Sequence, residues 1–262
     1  MCDFHCTIYP SFAPHHFYPS VLSDTIIPQE ALPQATDPSL LNKELLASGT
    51  LLLLDKPLTF TSFQAINKVK YALKKPKIGH SGTLDPLASG LLIVCTGKWT
   101  KKLSSLLGLD KEYTGTFTIG AQTPTYDLES APEQHCAYDN ISNEMIEQAR
   151  QTFVGAIQQY PPAHSAAKVD GRRAYELARA GKPVELKVRH ITIYAFEITA
   201  IRLPEIDFRV HCSSGTYIRS LAHDFGQKLG VGAYLSALRR TKIGEYNVED
   251  AAHLDLFSTL NL

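Results

Sequence analysis

The chain has 262 residues, of which 44% are apolar and 20% are charged, and its formal net charge at pH 7 is zero. This composition is typical of a soluble globular protein with a sizeable core and argues against a disordered chain. Because no run of about 18 consecutive apolar residues occurs, the sequence predicts no membrane-spanning helix. The five cysteines are scattered, and the N-terminus lacks a signal or transit pattern, so we expect reduced thiols and a cytoplasmic protein.

The N-terminal segment differs in composition from the rest of the chain. Residues 1–47 are rich in proline, histidine, serine and aromatic residues and show no steady periodicity, so we expect a poorly ordered extension followed by one domain over residues 48–262. The extension also holds five residues of types that bind metals, namely Cys2, His5, Cys6, His15 and His16. Their spacing matches no standard zinc finger, and the sequence therefore predicts no metal site.

From Thr50 onwards, strands and helices follow one another. The stretch "LLLLD" predicts a buried strand, and "TSFQAINKVKYALKK" predicts a helix with a capping box at Thr61 and Gln64 and an apolar stripe that begins at Phe63. The later predicted elements are, in chain order, a strand at "LLIVC", a helix at "WTKKLSSLL" ended by Gly108, a strand at "EYTGTFTIG", helices at "NEMIEQARQTFVG" and "RRAYELARAG", neighbouring strands at "VRHITIYAFEITAI" and "IDFRVHCSS", and a helix at "TYIRSLAHDFGQKLG". Because they mix without a strict βαβ repeat, we expect an α+β fold with a mixed, largely antiparallel sheet flanked by helices.

A single carboxylate lies in the glycine-rich stretch "KIGHSGTLDPLASGLL". Gly82 and Gly90 flank Asp85, and Pro86 follows it directly. Glycine adopts a positive φ and lets another backbone or a ligand come close, whereas proline fixes φ and removes a donor. The stretch fits either an ordinary turn or a rigid loop that presents Asp85 to a large ligand.

Tyr113 and Arg219 also occupy unusual settings. Tyr113 lies near the start of a predicted strand, where its ring faces either a pocket or the core. Arg219 falls in the first turn of a predicted helix, where the helix dipole disfavours a cation. A partner carboxylate or phosphate would explain an arginine at this position, and a plain surface arginine is the alternative.

Several common sites have no support in the sequence. "GLLIVCTGK" lacks the glycine spacing of a phosphate loop, no G-x-G-x-x-G opens a helix after a strand, and neither H-E-x-x-H nor a paired C-x-x-C occurs. The basic residues are segregated into two runs, over residues 68–102 and 168–189. Such segregation indicates either a positive face for phosphate contacts or ordinary solvated helix faces.

Blocks of the sequence resemble the TruB family of tRNA pseudouridine-55 synthases. "GHSGTLDPLASGLL" is similar to the signature loop of that family. The other similar blocks keep the family's order and, with the loop, cover roughly residues 50–250: "LLLLDKPLTFTSFQAINKVK", "KEYTGTFTIGAQTPTYD", "QYPPAHSAAKVDGRRAYELARAG", "CSSGTYIRSLAHDFGQKLG" and "YLSALRR". Ordered blocks are a far more specific signal than one glycine loop.

The resemblance implies a pseudouridine synthase fold and an isomerase that needs no cofactor or metal. Such an enzyme breaks the N-glycosidic bond of uridine 55 in the tRNA T-loop, turns the uracil and rejoins it through C5. By this resemblance Asp85 is the catalytic carboxylate, Tyr113 stacks on the base and is a candidate for proton transfer, and Arg219 pairs with Asp85. Asp85 could attack C1′, attack C6 of the uracil or first help to remove the C2′ proton. The paired cation is expected to lower the pKa of the carboxyl group.

Four further residues match family positions around the substrate. His80 matches a residue near the flipped bases, and Lys56 matches a lysine that supports the site. Tyr217 and Leu238 match residues that line the uracil pocket. For each of these residues, ordinary core or loop packing is the alternative. Because the target uridine is stacked in a folded T-loop it has to be flipped out, and the basic runs would hold the T-arm backbone.

The sequence departs from the family pattern at a few loop positions. His164 stands where tyrosine is usual, Thr59 where glycine is expected, and Pro124 and Ser130 where Asp and Gly are common. The chain ends at Leu262, which leaves no room for the C-terminal PUA-type RNA-binding domain of many relatives. We therefore expect weaker tRNA binding, an unchanged reaction, and a monomer without an obligate protein partner or membrane contact.

Two other functions fit less well. A non-catalytic RNA binder or tRNA-folding chaperone would keep the shape without the activity, and the intact set of Asp85, Tyr113 and Arg219 counts against it. A guide-RNA-dependent enzyme of the dyskerin type needs partner proteins and an RNA-binding C-terminal domain. Activity of the purified protein alone on unmodified tRNA transcript would exclude that second alternative.

Overall fold

The computed structural model describes residues 49–74, 76–165, 168–169, 171–181 and 186–258. The N-terminal extension and its candidate metal ligands lie outside these residues, as do Lys75 and Lys182 of the two basic runs. None of the described helices is both long enough and apolar enough to cross a membrane.

Within the described residues, ten strands form one sheet in the order β12-β1-β3-β10-β4-β9-β8-β5, with β2 paired to β3 and β11 paired to β10. The strands are β1 (Leu51–Lys56), β2 (Ile78–Ser81), β3 (Ala88–Thr96), β4 (Lys111–Ile119), β5 (Gly155–Gln159), β8 (Arg189–Arg202), β9 (Glu205–Cys212), β10 (Ala233–Ile243), β11 (Tyr246–Asn247) and β12 (Ala252–His253), while β6 (Lys168–Val169) and β7 (Arg172–Arg173) form a separate two-stranded ladder. Only the β1–β12 and β3–β10 pairs of the large sheet are parallel. The predicted mixed, largely antiparallel sheet is confirmed.

The central strand β10 is one that the sequence pattern does not predict. It runs parallel to β3, with Leu238 opposite Ala88, and antiparallel to β4, with Arg240 opposite Tyr113. It therefore places residues from the end of the chain beside the strand that follows the Asp85 loop. The predicted β8–β9 hairpin is confirmed, whereas the edge strand β5 was assigned to no element by its pattern.

Five α-helices occur among the described residues: α1 (Ser62–Ala72), α2 (Leu103–Gly108), α3 (Asn143–Gln151), α4 (Ala174–Arg179) and α5 (Ile218–Leu229). Short 3₁₀ helices cover Gly97–Lys102, Val248–Asp250 and Leu254–Ser258. The single helix predicted at "WTKKLSSLL" is thus a 3₁₀ segment followed by α2. α5 ends at Gly230, which adopts the left-handed conformation that favours glycine at this position.

Helix α1 begins as its sequence predicts. Thr61 caps it, and the reciprocal contacts of Thr61 and Gln64 complete the capping box. The buried face holds Ala65, Ile66 and Val69. Phe63 is 71% exposed and does not belong to the apolar stripe, so that part of the prediction is wrong. The Ser62 side chain takes the inward position at the helix start.

Apolar side chains pack on both faces of the sheet. The largest cluster includes Phe117, Phe208 and Phe225, and the Phe117 and Phe208 rings stack with their centroids 4.2 Å apart. A second cluster packs α1 against β1 and β3, and a third lies on the opposite face of the same two strands. Burial of these large side chains supplies most of the folding free energy and fixes the strands that carry the site.

The cysteines differ from the expectation of uniformly reduced thiols. Cys95 and Cys212 are free and buried. Burial raises the pKa of each thiol to about 12, which makes both unreactive at neutral pH. Cys136 is disulfide-bonded, so the prediction is wrong at that residue.

We predict that Gly90→Ala destabilises the fold. Gly90 lies in β3 with φ of 106°, and an added Cβ would meet the carbonyl oxygen and, at 2.8 Å, the amide nitrogen of Arg240. Because backbone atoms cannot move aside as a flexible side chain can, we expect a loss of about 3 kcal/mol or more in the free energy of unfolding, measured by urea denaturation.

Gly108→Ala is the matched control. Nothing lies within 4 Å of a Cβ at this helical position. Its free energy of unfolding should stay within about 1 kcal/mol of the wild type, with any change towards greater stability. Equal effects of the two substitutions would contradict the close approach of β3 and β10.

Candidate active site

The loop that carries Asp85 joins β2 to β3 and is anchored by its neighbours. The Leu84 amide donates a hydrogen bond to Ser62 Oγ at 2.9 Å, and the Ser62 hydroxyl donates to the Leu84 carbonyl at 3.0 Å. The Thr59 amide donates to the Pro86 carbonyl at 2.8 Å. These bonds tie the loop to the start of α1 on one side and to the preceding turn on the other.

Thr59 shows why glycine is expected at its position. Its φ is 70°, in the left-handed region that glycine reaches without strain. Threonine is β-branched and reaches this region at a cost. The backbone still delivers the amide to Pro86, so the departure changes the local energy and not the path of the chain.

Asp85 and Arg219 form an ion pair, with Arg219 Nε 2.9 Å from Asp85 Oδ2. The arginine side chain is 5% exposed and the aspartate side chain 41% exposed. Arg219 stands in the first turn of α5, and a partner carboxylate offsets the unfavourable helix dipole there. Nε has no well-aligned hydrogen-bond acceptor among the described residues, so charge attraction holds the pair.

Three more groups surround the Arg219 guanidinium. Nη1 donates to the Thr125 carbonyl and Nη2 to the His164 carbonyl, each at 3.1 Å. The Asp127 carboxylate lies 3.6 Å from Nε, and its side chain is 7% exposed. Because His164 contributes a backbone carbonyl, the exchange of the usual tyrosine leaves this contact in place.

Asp127 is a site residue that the sequence reasoning missed. It follows Tyr126 in "TPTYDLES", and its backbone pairs with Leu235 at the start of β10. Its Oδ1 accepts a hydrogen bond from the Glu129 amide at 3.0 Å. A buried carboxylate needs a cation or several donors, but nothing in the local pattern shows that this residue is buried.

The surroundings raise the pKa of Asp85 above its ordinary value. The main cause is burial, which removes water from the carboxylate. The Arg219 guanidinium acts in the opposite sense, and the negative charge of Asp127 adds to the effect of burial. The expected lowering of this pKa by the paired cation is therefore wrong in direction, although the contribution of Arg219 itself has the expected sign.

Asp85 and Arg219 line a shallow cleft that is partly open to solvent. Its other lining residues are mostly small or apolar: Leu87, Ala88, Asp127, Leu235, Ser236, Ala237 and Leu238. Leu238 thus lies in the same cleft as the ion pair. A concave, mostly apolar surface with a few charged groups is the usual setting of a ligand-binding site.

Tyr113 is not among the residues that line this cleft. It is 8% exposed, and it stands directly opposite Arg240 in the β4–β10 ladder. Burial raises the pKa of the phenol, and a hydrogen bond and the positive charge of Arg240 oppose that effect. Asp85 is among the charged groups that act on Tyr113.

Lys56 and His80 also lie near Arg240. Lys56 is fully buried and donates to the carbonyls of Pro57 at 2.9 Å and Phe60 at 2.7 Å. Burial lowers its pKa to about 8. His80 is half-buried in β2, and burial lowers its pKa, so it is neutral at pH 7. Its Nδ1 atom lies 3.4 Å from the Gly82 carbonyl oxygen at the start of the Asp85 loop.

Tyr217 precedes α5 and is not part of the cleft lining. The side-chain Nε2 of Gln159 donates to the Tyr217 backbone carbonyl at 3.1 Å, and the Tyr217 backbone N–H donates to Gln159 Oε1 at 2.8 Å. The Arg189 guanidinium lies 5.3 Å from the centre of its ring. The structure therefore brings Asp85 and Leu238 together in the cleft but places Tyr217 outside it.

No group of three or more His, Cys, Asp or Glu side chains in the described ranges is arranged to hold a metal ion. What the cleft offers is a carboxylate held by a guanidinium, with a second carboxylate and apolar walls. This arrangement can supply nucleophilic or acid–base chemistry to a bound ring.

Comparison with known proteins identifies the family. Residues 70–218 match the model of the TruB family pseudouridylate synthase N-terminal domain, and residues 219–261 match the tRNA pseudouridylate synthase B C-terminal domain. The chain is 57% identical over 216 residues to a tRNA pseudouridine synthase B of Flavobacterium johnsoniae, a match that covers 80% of this chain and 94% of the relative. A protein of the same name from Phocaeicola vulgatus is 47% identical over 215 residues, covering 80% and 92% of the two chains.

Solved structures show the same fold. A chain of a Cbf5-Nop10-Gar1 complex matches with a TM-score of 0.61 and 32% identity, and a chain of an H/ACA RNP bound to a substrate RNA containing 2′-deoxyuridine matches with a TM-score of 0.60 and 30% identity. Each match covers 80% of this chain but only 53% and 52% of the respective neighbour, so the chain spans about half of their length. These likenesses confirm the predicted fold, and the chain belongs to the TruB family of pseudouridylate synthases.

Proposed function

We propose that the chain isomerises uridine 55 of tRNA to pseudouridine, with Asp85 as the catalytic carboxylate. Its family consists of isomerases that act on tRNA, and its relatives are tRNA pseudouridine synthases. The observation that carries the proposal is the Asp85–Arg219 ion pair in an apolar cleft. The position in the T-loop and the role of Asp85 are inferences from this geometry and the resemblance of the loop sequence.

The chemistry needs a carboxylate beside the sugar and the base, little water, and walls that keep the detached uracil in place. Asp85 supplies the carboxylate, and Arg219 aims it, since its guanidinium is fixed by the Thr125 and His164 carbonyls. Leu238 supplies an apolar wall. In this proposal the apolar walls hold the detached uracil beside the sugar while it turns and rejoins through C5.

The remaining residues have supporting roles in this proposal. Tyr113 lies outside the cleft lining, and in this proposal it stacks on the base or moves a proton once the substrate has entered. Lys56 supports the turn before α1 through the Pro57 and Phe60 carbonyls, and His80 lies beside the Gly82 carbonyl at the start of the Asp85 loop. Tyr217 lies beside the Arg219 helix and contacts the flipped nucleotide only if that nucleotide extends past the cleft.

Asp85 can reach a flipped uridine only if the protein also binds the folded T-arm that carries this uridine. The exposed lysines Lys98, Lys101 and Lys102 lie in the 3₁₀ segment that directly follows β3. This segment adjoins the end of β3 that is farther from the cleft. These side chains would contact phosphates while the Asp85 loop receives the flipped base. The proposal includes a monomer in the cytoplasm that needs no protein partner.

Two other functions are outcomes of the tests. A tRNA-folding chaperone would bind tRNA without changing it. A guide-RNA-dependent enzyme would require other subunits. One chain of the Cbf5-Nop10-Gar1 complex resembles this protein, and that chain was solved together with partner proteins. The assay that separates the three is tritium release from tRNA transcript labelled at C5 of uridine, with purified protein alone.

We predict that Asp85→Asn lowers tritium release by at least about 10⁴-fold, because the amide is neither a nucleophile nor a base. Binding of the transcript, measured by filter retention, should change little. Asp207→Asn is the control, since Asp207 also pairs with an arginine, Arg202, but lies in the β8–β9 hairpin. A near-normal rate for Asp85→Asn would remove Asp85 from the mechanism, and no release by the wild type would favour the chaperone.

We predict that Arg219→Lys damages activity most at low pH. A lysine cannot reach both carbonyls and the carboxylate, and the loss of a fixed cation raises the pKa of Asp85 further. Because the carboxylate must be ionised, the acid limb of the rate should move to higher pH. We expect a loss of about 100-fold at pH 6 and a smaller one at pH 8 in single-turnover tritium release.

Arg239→Lys is the control for that experiment. Arg239 pairs with Asp55 through two hydrogen bonds of 3.0 and 2.8 Å, and neither residue lines the cleft. Its pH profile should follow the wild type. A uniform loss at all pH values in Arg219→Lys would show that the cation does not act through ionisation of Asp85.

We predict that replacing Lys98, Lys101 and Lys102 with glutamine weakens tRNA binding and lowers its dependence on salt. Each lost phosphate contact should reduce the slope of log affinity against log salt by about 0.7–0.9. The control is Lys228→Gln, an exposed lysine in the last turn of α5. An unchanged slope in the triple variant would exclude these lysines from the RNA contact.

A further inference from the structure

Arg240 is a fully buried cation in the middle of the sheet. It is 1% exposed and leads the residues whose large side chains are completely buried. Within the described part of the chain, no carboxylate forms an ion pair with it. A buried charge without a counter-ion is costly unless polar groups satisfy it, so its contacts indicate why it is present.

The guanidinium of Arg240 contacts the two strands beside it and the Asp85 loop. Nε donates to the Leu91 carbonyl in β3 at 2.8 Å, and Nη2 donates to the Gly82 carbonyl at 3.3 Å. Tyr113 stands directly opposite Arg240 on β4, and the positive charge of Arg240 acts on its phenol. Because Arg240 and Tyr113 are directly opposite in the β4–β10 ladder, their side chains leave the sheet on the same face.

Three charged or titratable groups among the described residues act on the phenol of Tyr113: Arg240 on β10, Cys212 on β9 and Asp85 in its loop. Cys212 is buried and uncharged at neutral pH, and the Asp85 carboxylate disfavours negative charge on the phenol. Arg240 is therefore the cation that favours such charge.

We propose that Arg240 is a positioning residue for Tyr113, which fixes the phenol and stabilises the negative charge that develops on its oxygen during proton transfer. The proposal rests on the proposed function, in which Tyr113 moves a proton. In the route through C1′, the carbon–carbon bond forms between C1′ and C5 as the bond between C1′ and the Asp85 oxygen breaks, which restores the carboxylate. The Tyr113 hydroxyl releases its own proton to solvent as it takes the proton from C5, and N1 of the uracil gains a proton from solvent. Tyr113 is thus a phenol before and after the step, and no oxidant or reductant takes part.

The stabilisation matters because burial opposes the phenolate. A buried tyrosine in an apolar core would hold its proton far above neutral pH. The Arg240 guanidinium is fixed by the Leu91 and Gly82 carbonyls, and a fixed guanidinium beside a phenol stabilises negative charge that develops on its oxygen. The same fork holds the Gly82 carbonyl, so one side chain aligns the proton-transfer group with the start of the loop that presents Asp85.

The functional test is a double-mutant cycle on single-turnover tritium release. Arg240→Met alone should lower the rate about 100-fold, the loss typical of removing one oxyanion-stabilising donor. In the Tyr113→Phe background, Arg240→Met should cost less than about threefold, because the group through which it acts is gone. Additive losses would overturn the proposal and leave Arg240 as a structural residue.

The control is Lys111→Met. Lys111 is another buried cation, 6% exposed, on β4 two residues before Tyr113, and its Nζ donates to the Leu107 and Leu109 carbonyls. It matches Arg240 in burial and in bonding to carbonyls but does not hold the phenol. Thermal melting of Arg240→Met and Lys111→Met shows whether each variant is folded under the assay conditions. If Arg240→Met does not fold, Arg240→Lys replaces it in the cycle.

A second readout is independent of activity. With tyrosine labelled by ¹³C at Cζ, the Tyr113 resonance is identified by its loss in Tyr113→Phe. Arg240→Met should shift this resonance and move the ionisation of Tyr113 to higher pH, while Lys111→Met should leave both unchanged. An unshifted resonance in Arg240→Met would overturn the proposal. If the wild type released no tritium but the resonance shifted, the proposed function would fail while the Arg240–Tyr113 contact stood.

Discussion

The attraction between Asp85 and Arg219 is the interaction on which the arrangement of the molecule depends. One partner lies in a loop between two early strands, and the other lies at the start of a helix near the end of the chain. Neither position is favourable alone, since the carboxylate is partly dehydrated and the cation opposes a helix dipole. Bringing them together requires α5 to sit beside the open end of the β2–β3 turn, and the packing of Phe225 against the sheet holds it there.

Charges of both signs meet around the site. Arg219 and Arg240 are buried cations, and the carboxylates of Asp85 and Asp127 lie beside Arg219. Glu129 also acts on Asp85, and Asp55 acts on Lys56. A chain that is neutral overall can therefore still concentrate charged groups at one place in the fold.

Local sequence pattern was sufficient for some elements and insufficient for others. The capping box of Thr61 and Gln64 and the β8–β9 hairpin are determined by neighbours in sequence, and both were predictable. β10 was not, because its central residues Arg239 and Arg240 look like an exposed polar stretch although one of them is fully buried. The buried state of Asp127 was hidden for the same reason, since its cation comes from a distant part of the chain.

The site residues show the same division. Asp85 and Arg219 could be recognised from glycine spacing, helix position and the resemblance of the blocks, and the structure places them in contact. Tyr217 could not be placed outside the cleft lining from sequence, because its ring direction depends on Gln159 and Arg189 in other strands.

The place of β10 in the strand order has a consequence for how the molecule is made. It lies between β3 and β4, which share no ladder of their own, so it joins the β1–β3 part of the sheet to the β4–β9 part. A nascent chain that has not yet left the ribosome as far as Ile243 holds two separate pieces of sheet with unpaired edges. Closure of the sheet is therefore a long-range event of slow-folding topology, and the binding surface is assembled only after the chain has emerged through Ile243.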